Sequence, residues 1–360
     1  MTDSEYLVAL SSYNYFGPQR IKLLLKYFGN AKKAWQSGQE ELIEIGLKGS
    51  RVIEFVNYRK KFESSNYFEK LKKFKVNYVT FNDPNYPTNL KEINDYPPVL
   101  YYIGSLERRD KNAVAIVGSR LGSSYGREVT RKLSSELASM GVVIVSGLAL
   151  GVDAVAHKAC YEVGGRGIVV LASGLDTISP LTNRYIAVEI VRQGGAIVSE
   201  YPLGHMPFKT NFPARNRIVS GLSKAVVVIE GLRKSGTLLT ASAAAEQGRT
   251  VFAVPGQITS PLTEAPHYLI QNGAKLVSST QDILDELNLQ LKVDPDEIEK
   301  VMPSDETEAK LINLLVNENL HLDELGRITG LTVSQISASL TVMELKGMVK
   351  NIGHGVYKKL

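Results

Sequence analysis

AVAIVGSRLGSSYGREVTRKLSSELASMGVVIVSG, residues 113–147, decides the fold. An apolar run (113–119) ends in Gly-Ser, an amphipathic stretch follows at helical spacing (124–140), and a second apolar run closes the unit (142–147). The pattern then repeats. Further apolar runs are GIVVLAS (167–173), AIVSE (196–200), AVVVIEG (225–231) and TVFAVPG (250–256). Helical patterns fall between them at 151–163, 183–193, 214–222 and 237–247. Runs that are apolar without alternation are buried on both faces, as parallel strands are. The pattern therefore predicts an α/β protein with a doubly wound, mostly parallel sheet, in which ligands bind beyond the carboxyl ends of the strands.

Working outward, residues 1–76 carry apolar positions at helical spacing, broken at Gly17-Pro18 and again between Gly46 and Gly49. Short helices joined by glycine-bearing hairpins resemble a SAM or helix-hairpin-helix module, and a plain packed bundle is the alternative. Residues 62–75 read as an exposed basic helix or linker. From Val79 to Leu106 four prolines and two β-prone runs predict a connector with a strand or two at the sheet edge. Past Gln257 a helix and short strand complete the sheet. An acidic stretch, 291–303, predicts a linker, and 304–360 reads as three helices and a glycine-centred hairpin, the pattern of a winged helix, with Thr332 capping its last helix. The predicted domains are thus 1–76, 77–290 and 304–360.

Composition narrows the function classes. A chain of 360 residues with 22% charged side chains suits two or three ordered domains. The single cysteine, Cys160, excludes a disulfide framework and a cysteine-rich zinc site. With no signal-like N-terminus and no apolar run near 18 residues, the expectation is a cytoplasmic protein without membrane insertion. Charge is unevenly spread. Residues 1–76 hold 14 Lys and Arg against 8 Asp and Glu, and residues 108–258 hold 18 against 10. The stretch 259–303 holds 3 against 8. Polyanion binding is expected in the two basic blocks.

Two places gather the chemistry. At the first strand end, Gly118 and Ser119 with Ser123 or Ser124 form a turn before a helix start, a predicted anion cradle from which Arg120 projects. Arg120 reads as a phosphate contact, with a surface ion pair as the alternative. The glycines at 118, 122 and 126 do not make the dinucleotide fingerprint. Asp153 is placed to bond backbone N–H groups at the next helix start, and His157 one turn on reads as packing. The second place is 209–223, where Lys209, Phe212, Arg215 and Arg217 cluster. Cations beside an accessible ring suit single-stranded nucleic acid. In the competing reading Phe212 plugs the core and the arginines pair with carboxylates.

In order along the chain, VGSR…SSYG, SGLALGVDAVAH, ASGLDTISPLTNR, SEYPLG…FPARNRIVSGLS, VVVIEGLRKSGTLLTASAAAEQGRTVFAVPG and SPLTEAPHYLIQNGA closely resemble the DNA-processing protein A (DprA, or Smf) family over about 80–280. The resemblance implies an extended Rossmann-like domain that binds single-stranded DNA without strong sequence preference. It also implies homodimerisation, and protection of incoming DNA with loading of RecA recombinase in natural transformation. Carried over, the family's Gly-Ser-Arg turn falls on Gly118, Ser119 and Arg120, and the lysine and phenylalanine of its DNA pocket on Lys209 and Phe212. Where many members carry Tyr-Pro-Lys, this chain has Ser179-Pro180-Leu181, so one customary cation is absent. No catalytic residue, metal or cofactor is implied. The alternative is a Rossmann-like nucleotide phosphoribohydrolase, whose motif places a catalytic glutamate after Gly-Thr. Here Thr240 stands at that position, leaving Glu230 or Glu246 as candidates.

Overall fold

The structure is a computed structural model that describes residues 1–288, 306–315, 318–345, 348–353 and 355–359. The chain forms two compact units, Met1–Gln290 and Leu291–Leu360. The predicted linker 291–303 lies outside the described residues.

The first unit opens with α1 (Asp3–Ser11), α2 (Pro18–Phe28), α3 (Ala31–Gln36), α4 (Gln39–Glu44), α5 (Gly49–Lys61) and α6 (Ser64–Lys73). Gly17 is the N-cap of α2 and Pro18 its first residue, where a missing N–H costs nothing. An aromatic cluster of Tyr13, Phe16, Trp35, Phe55 and Tyr58 fills the centre of this bundle. Its core runs on into one face of the sheet without a break. Lys22 sits 3.7 Å above the Tyr96 ring, and Tyr67 and Tyr101 share a hydroxyl bond of 3.2 Å. Residues 1–76 are therefore packed onto the sheet within one compact unit.

After α6 come β1 (Asn77–Thr80), α7 (Thr88–Lys91), β2 (Val99–Gly104), β3 (Ala113–Val117), α8 (Ser124–Ser139), β4 (Val143–Ser146), α9 (Val152–Glu162) and β5 (Gly167–Val170). The chain continues through α10 (Arg184–Arg192), β6 (Ala196–Ser199), α11 (Asn211–Gly221), β7 (Ala225–Val228), α12 (Gly236–Glu246), β8 (Thr250–Ala253), α13 (Glu264–Gln271), β9 (Lys275–Leu276) and α14 (Thr280–Glu286). The nine strands lie in the order β1-β2-β6-β5-β4-β3-β7-β8-β9. β1 and β2 pair antiparallel at the edge, and every pair from β6 to β9 is parallel. Side chains of β3 alternate between two cores: Val114 and Ile116 join the face shared with the N-terminal helices, and Ala113, Ala115 and Val117 join the other. Each fully buried valine or isoleucine contributes roughly 1.5–3 kcal/mol, which fixes this register against a one-residue slip.

From β3 the chain winds one way to β6, then returns to place β7 on the other side of β3. The strand order reverses there, so the β3 and β7 loops flank the crevice in which such sheets hold ligands.

In the second unit, α15 (Glu306–Leu314), β10 (Leu320–His321), α16 (Leu322–Thr329), α17 (Val333–Leu345), β11 (Val349–Asn351) and β12 (Val356–Lys359) form a winged helix. Leu311, Leu325, Ile336, Leu340 and Met343 build its core. Thr332 caps α17, its hydroxyl accepting from the Gln335 N–H and its own N–H donating to the Gln335 side chain.

Candidate nucleic-acid interface

The loop after β6 and the start of α11 carry half of the site. α11 begins at Asn211, earlier than the helical pattern suggests, because Pro213 is tolerated in a first turn. Phe212 therefore stands on the first turn of a helix rather than on a loop. Asn211 anchors that turn: its side-chain amide donates to Ala172 O (3.1 Å) and Met206 O (3.2 Å) and lies 2.9 Å from His205 Nε2. The loop itself is ordered by stacked rings, with Tyr201 on His205 at 4.4 Å and Phe208 edge-on to His205 at 5.9 Å. These contacts present Phe208, 59% exposed, next to Lys209, which is also exposed.

The other half comes from the β3 loop. Gly118 is required because Val152, at the start of α9, packs where a Cβ would stand. Ser119 O accepts the Val152 N–H at 3.2 Å, and Ser119 Oγ accepts the Leu121 N–H at 3.1 Å. This fixes the turn that projects Arg120. Its guanidinium carbon lies 5.4 Å from the centroid of the Phe212 ring. Among the described residues neither Arg120 nor Lys209 forms an ion pair, so their charge is available to an outside anion. Phe212 is half-buried: it is neither sealed in the core nor fully free.

The structure separates the remaining candidates from this group. Arg215 is 4% exposed, and its guanidinium donates to the carbonyls of Gly147 (2.6 Å) and Val170. It presses so closely on Gly147 that no Cβ fits there. Burial holds the Arg215 pKa below its usual value, partly offset by Asp153. Arg217 forms a bidentate pair with Glu200 (2.9 and 2.6 Å) and a third contact with Asp95 (2.9 Å). Burial alone would lower its pKa, but Glu200 and Asp95 outweigh burial and raise it. The two arginines lie about 200° apart around α11, so each is taken by its own partners: the carbonyls of Gly147 and Val170 hold Arg215, and the carboxylates of Glu200 and Asp95 hold Arg217. Neither arginine is available to a ligand.

One part of the predicted anion cradle, Ser123, is engaged from within the protein. Glu230, 1% exposed at the end of β7, accepts the Ser123 N–H (2.8 Å) and bonds Ser123 Oγ (2.5 Å) at the start of α8. An internal carboxylate thus takes the Ser123 N–H and hydroxyl at this helix start, and the Arg120 side chain remains exposed beside it. Asp153 bonds the N–H groups of Gly147 (3.2 Å) and Ala149 (3.3 Å), as its position suggested. His157 is fully buried, and burial lowers its pKa to about 4. Thr240 is buried and back-bonds to Gly236 O at 3.4 Å. Among the described residues no cluster of His, Cys, Asp or Glu is arranged to hold a metal, and no helix is long and apolar enough to cross a membrane.

The chain has relatives among known proteins. The sequence model of DNA recombination-mediator protein A matches residues 77–288, and that of the DprA winged helix domain matches residues 284–353. Protein Smf of Synechocystis sp. is 35% identical over 97% of this chain and 97% of its own. DNA processing protein DprA of Streptococcus pneumoniae is 44% identical over 57% of this chain and 72% of its own. The X-ray structure of the S. pneumoniae protein superposes with a TM-score of 0.69 at 35% identity, covering 79% of this chain and 98% of that one. A structure of DNA processing protein A from Helicobacter pylori, described for its single-stranded DNA binding mode, superposes with a TM-score of 0.52 at 32% identity. It covers 59% of this chain and 95% of that one.

Proposed function

The chain belongs to the DNA recombination-mediator protein A family, and on that premise we propose that it binds single-stranded DNA at the carboxyl rim of its sheet. Arg120 and Lys209 take successive phosphates, and a base stacks on Phe212, with Phe208 beside it. The observation that carries this reading is the approach of Arg120 to Phe212, at 5.4 Å, with both cations unpaired among the described residues. A base laid on the ring exchanges the cation–π contact for stacking while the guanidinium moves to a phosphate. Recognition is by charge and ring faces, which every nucleotide offers, so affinity is indifferent to sequence and falls with salt.

The reaction class is binding without turnover. Glu230, the best-placed carboxylate for a phosphoribohydrolase, is buried and spent on the Ser123 cap, and Thr240 fills the position of the motif glutamate. The resemblance further supports homodimerisation, protection of incoming DNA and delivery of the strand to RecA recombinase in natural transformation. Protection and delivery use the strand held at the rim, so both fail wherever strand binding fails.

The test is a fluorescence-anisotropy titration of oligothymidylate with the whole chain and with a variant changed at Arg120, Lys209 and Phe212. Binding by the first and loss in the second, with unchanged melting, is the result this reading requires. Equal affinity of the two proteins contradicts it. RecA delivery is checked by whether the chain speeds RecA filament assembly on strand it has already bound.

A further inference from the structure

Among the described residues six cation–ring pairs occur, and in four of them the cation comes from the N-terminal helices. The two that belong wholly to the sheet both stand at its carboxyl rim. One is Arg120 on Phe212. The other is Arg233, whose guanidinium carbon lies 5.0 Å from the centroid of the Tyr268 ring. We infer that this second pair, with Lys234 and Leu232, is a further nucleotide subsite on the track of the same single strand.

The placement follows from topology. Arg120 follows β3 and Arg233 follows β7, and these strands are neighbours across the reversal of strand order. Their loops are tied together by the bonds from Ser123 to Glu230. A strand leaving the first pair along the crevice therefore meets the second.

The subsite is built rather than incidental. Gly231 N–H donates to Leu262 O (2.7 Å) and Ala265 N–H to Gly231 O (2.9 Å), which locks the β7 loop onto the first turn of α13. Tyr268 projects one turn further along α13, 38% exposed, and Leu232 is 49% exposed. Leu232, Arg233, Lys234, Leu238, Glu264 and Tyr268 line an open basin of about 570 Å³. That volume lies within the usual range of small-ligand sites. Glu264 is engaged by the Arg233 backbone N–H (3.3 Å), and among the described residues the Arg233 and Lys234 side chains form no ion pair. Two free cations beside an exposed ring and an exposed leucine offer phosphate contacts and a base platform, the same chemistry as the first pair.

This inference rests on the proposed single-strand function, and strand length separates the two. The whole chain is titrated with oligothymidylates of about 6 and about 16 nucleotides, which lie within common single-strand site sizes. The first length fills the Arg120–Phe212 pair, and the second reaches Tyr268. Tyr268→Ala should weaken binding of the longer strand about tenfold, within the usual worth of a stacked base, and leave the shorter strand unchanged. Tyr268→Phe should bind both as the parent does, which guards against a folding effect. Arg233→Ala with Lys234→Ala should lower the salt slope for the longer strand by about 1.4 and leave the slope for the shorter strand unchanged. Parent-like binding of both lengths by the alanine variants would overturn the subsite and leave the function standing. Equal loss on both lengths would also overturn it. Failure of the parent to bind either strand would remove both.

Discussion

The Arg120 guanidinium carbon lies 5.4 Å from the centre of the Phe212 ring, although 92 positions of sequence separate them. One side chain follows β3 and the other begins α11, and the reversal of strand order brings them together. The ring holds the cation at the carboxyl rim of the sheet. Phe212→Ala is then expected to weaken oligothymidylate binding by about 1–3 kcal/mol, and Phe212→Tyr to preserve it. Isothermal titration of the three proteins reads this directly. Equal affinities would place the ring outside the site.

Arg217 and Arg215 are expected to behave differently from Arg120. Removing Arg217 leaves Glu200 and Asp95 without their cation, a loss of about 3 kcal/mol for a largely buried pair. Arg217→Ala should therefore lower the denaturant midpoint while the salt slope of binding by the folded protein stays at the parent value. Arg215→Ala should also destabilise, since the carbonyls of Gly147 and Val170 lose a buried donor. A changed salt slope with unchanged stability in either variant would return that arginine to the DNA surface.

Gly147 tests the same arrangement from the other side. A Cβ there would collide with the Arg215 guanidinium, which is confined between two carbonyls and cannot retreat. Gly147→Ala should destabilise by about 1–3 kcal/mol through this overpacking. The double variant with Arg215→Ala should lose less than the sum of the two single changes. Strict additivity in chemical denaturation would show that the two residues do not meet.

His157 gives the fold a pH dependence of known sign. Burial lowers its pKa to about 4, against an ordinary value near 6.5. The unfolded chain therefore binds the proton first as pH falls. Its contribution is complete above about pH 6.5 and is lost on descending to about 4, amounting to about 3 kcal/mol. Asp153 acts in the opposite sense, because burial raises its pKa. The comparison with His157→Gln isolates the histidine. Stability curves at pH 7 and pH 4.5 should converge for the variant relative to the parent, and a parallel pair would contradict the assignment.

The six central parallel strands were legible in the sequence, because strands covered on both faces leave continuous apolar runs from AVAIV at 113 to TVFA at 250. Arg120, Lys209 and Phe212 were legible as candidates through composition and resemblance, and geometry brings Arg120 and Phe212 together. What the sequence hid lies in long-range pairings. Arg215 and Arg217 carry the same charge as Lys209, and only partners distant in sequence, the Gly147 and Val170 carbonyls for one and the Glu200 and Asp95 carboxylates for the other, set them apart. The carboxylate that fills the α8 start is 107 residues away at Glu230, beyond any local pattern. Arg233 and Tyr268 are 35 positions apart, and only the register of α13 against the β7 loop joins them. Phe208 did have a local signal: it adjoins Lys209 in MPFKTNF, with a second ring, Phe212, four residues on.

Strand binding at the rim requires that Arg120 and Lys209 neutralise phosphates while Phe212 supplies a stacking face. The most direct measurement is the slope of log K against log salt for oligothymidylate, taken for the parent, Arg120→Ala, Lys209→Ala and the double variant. The account predicts that each single change lowers the slope by about 0.7 and the double change by about 1.4, with melting temperatures unchanged. An unaltered slope in the double variant would contradict it.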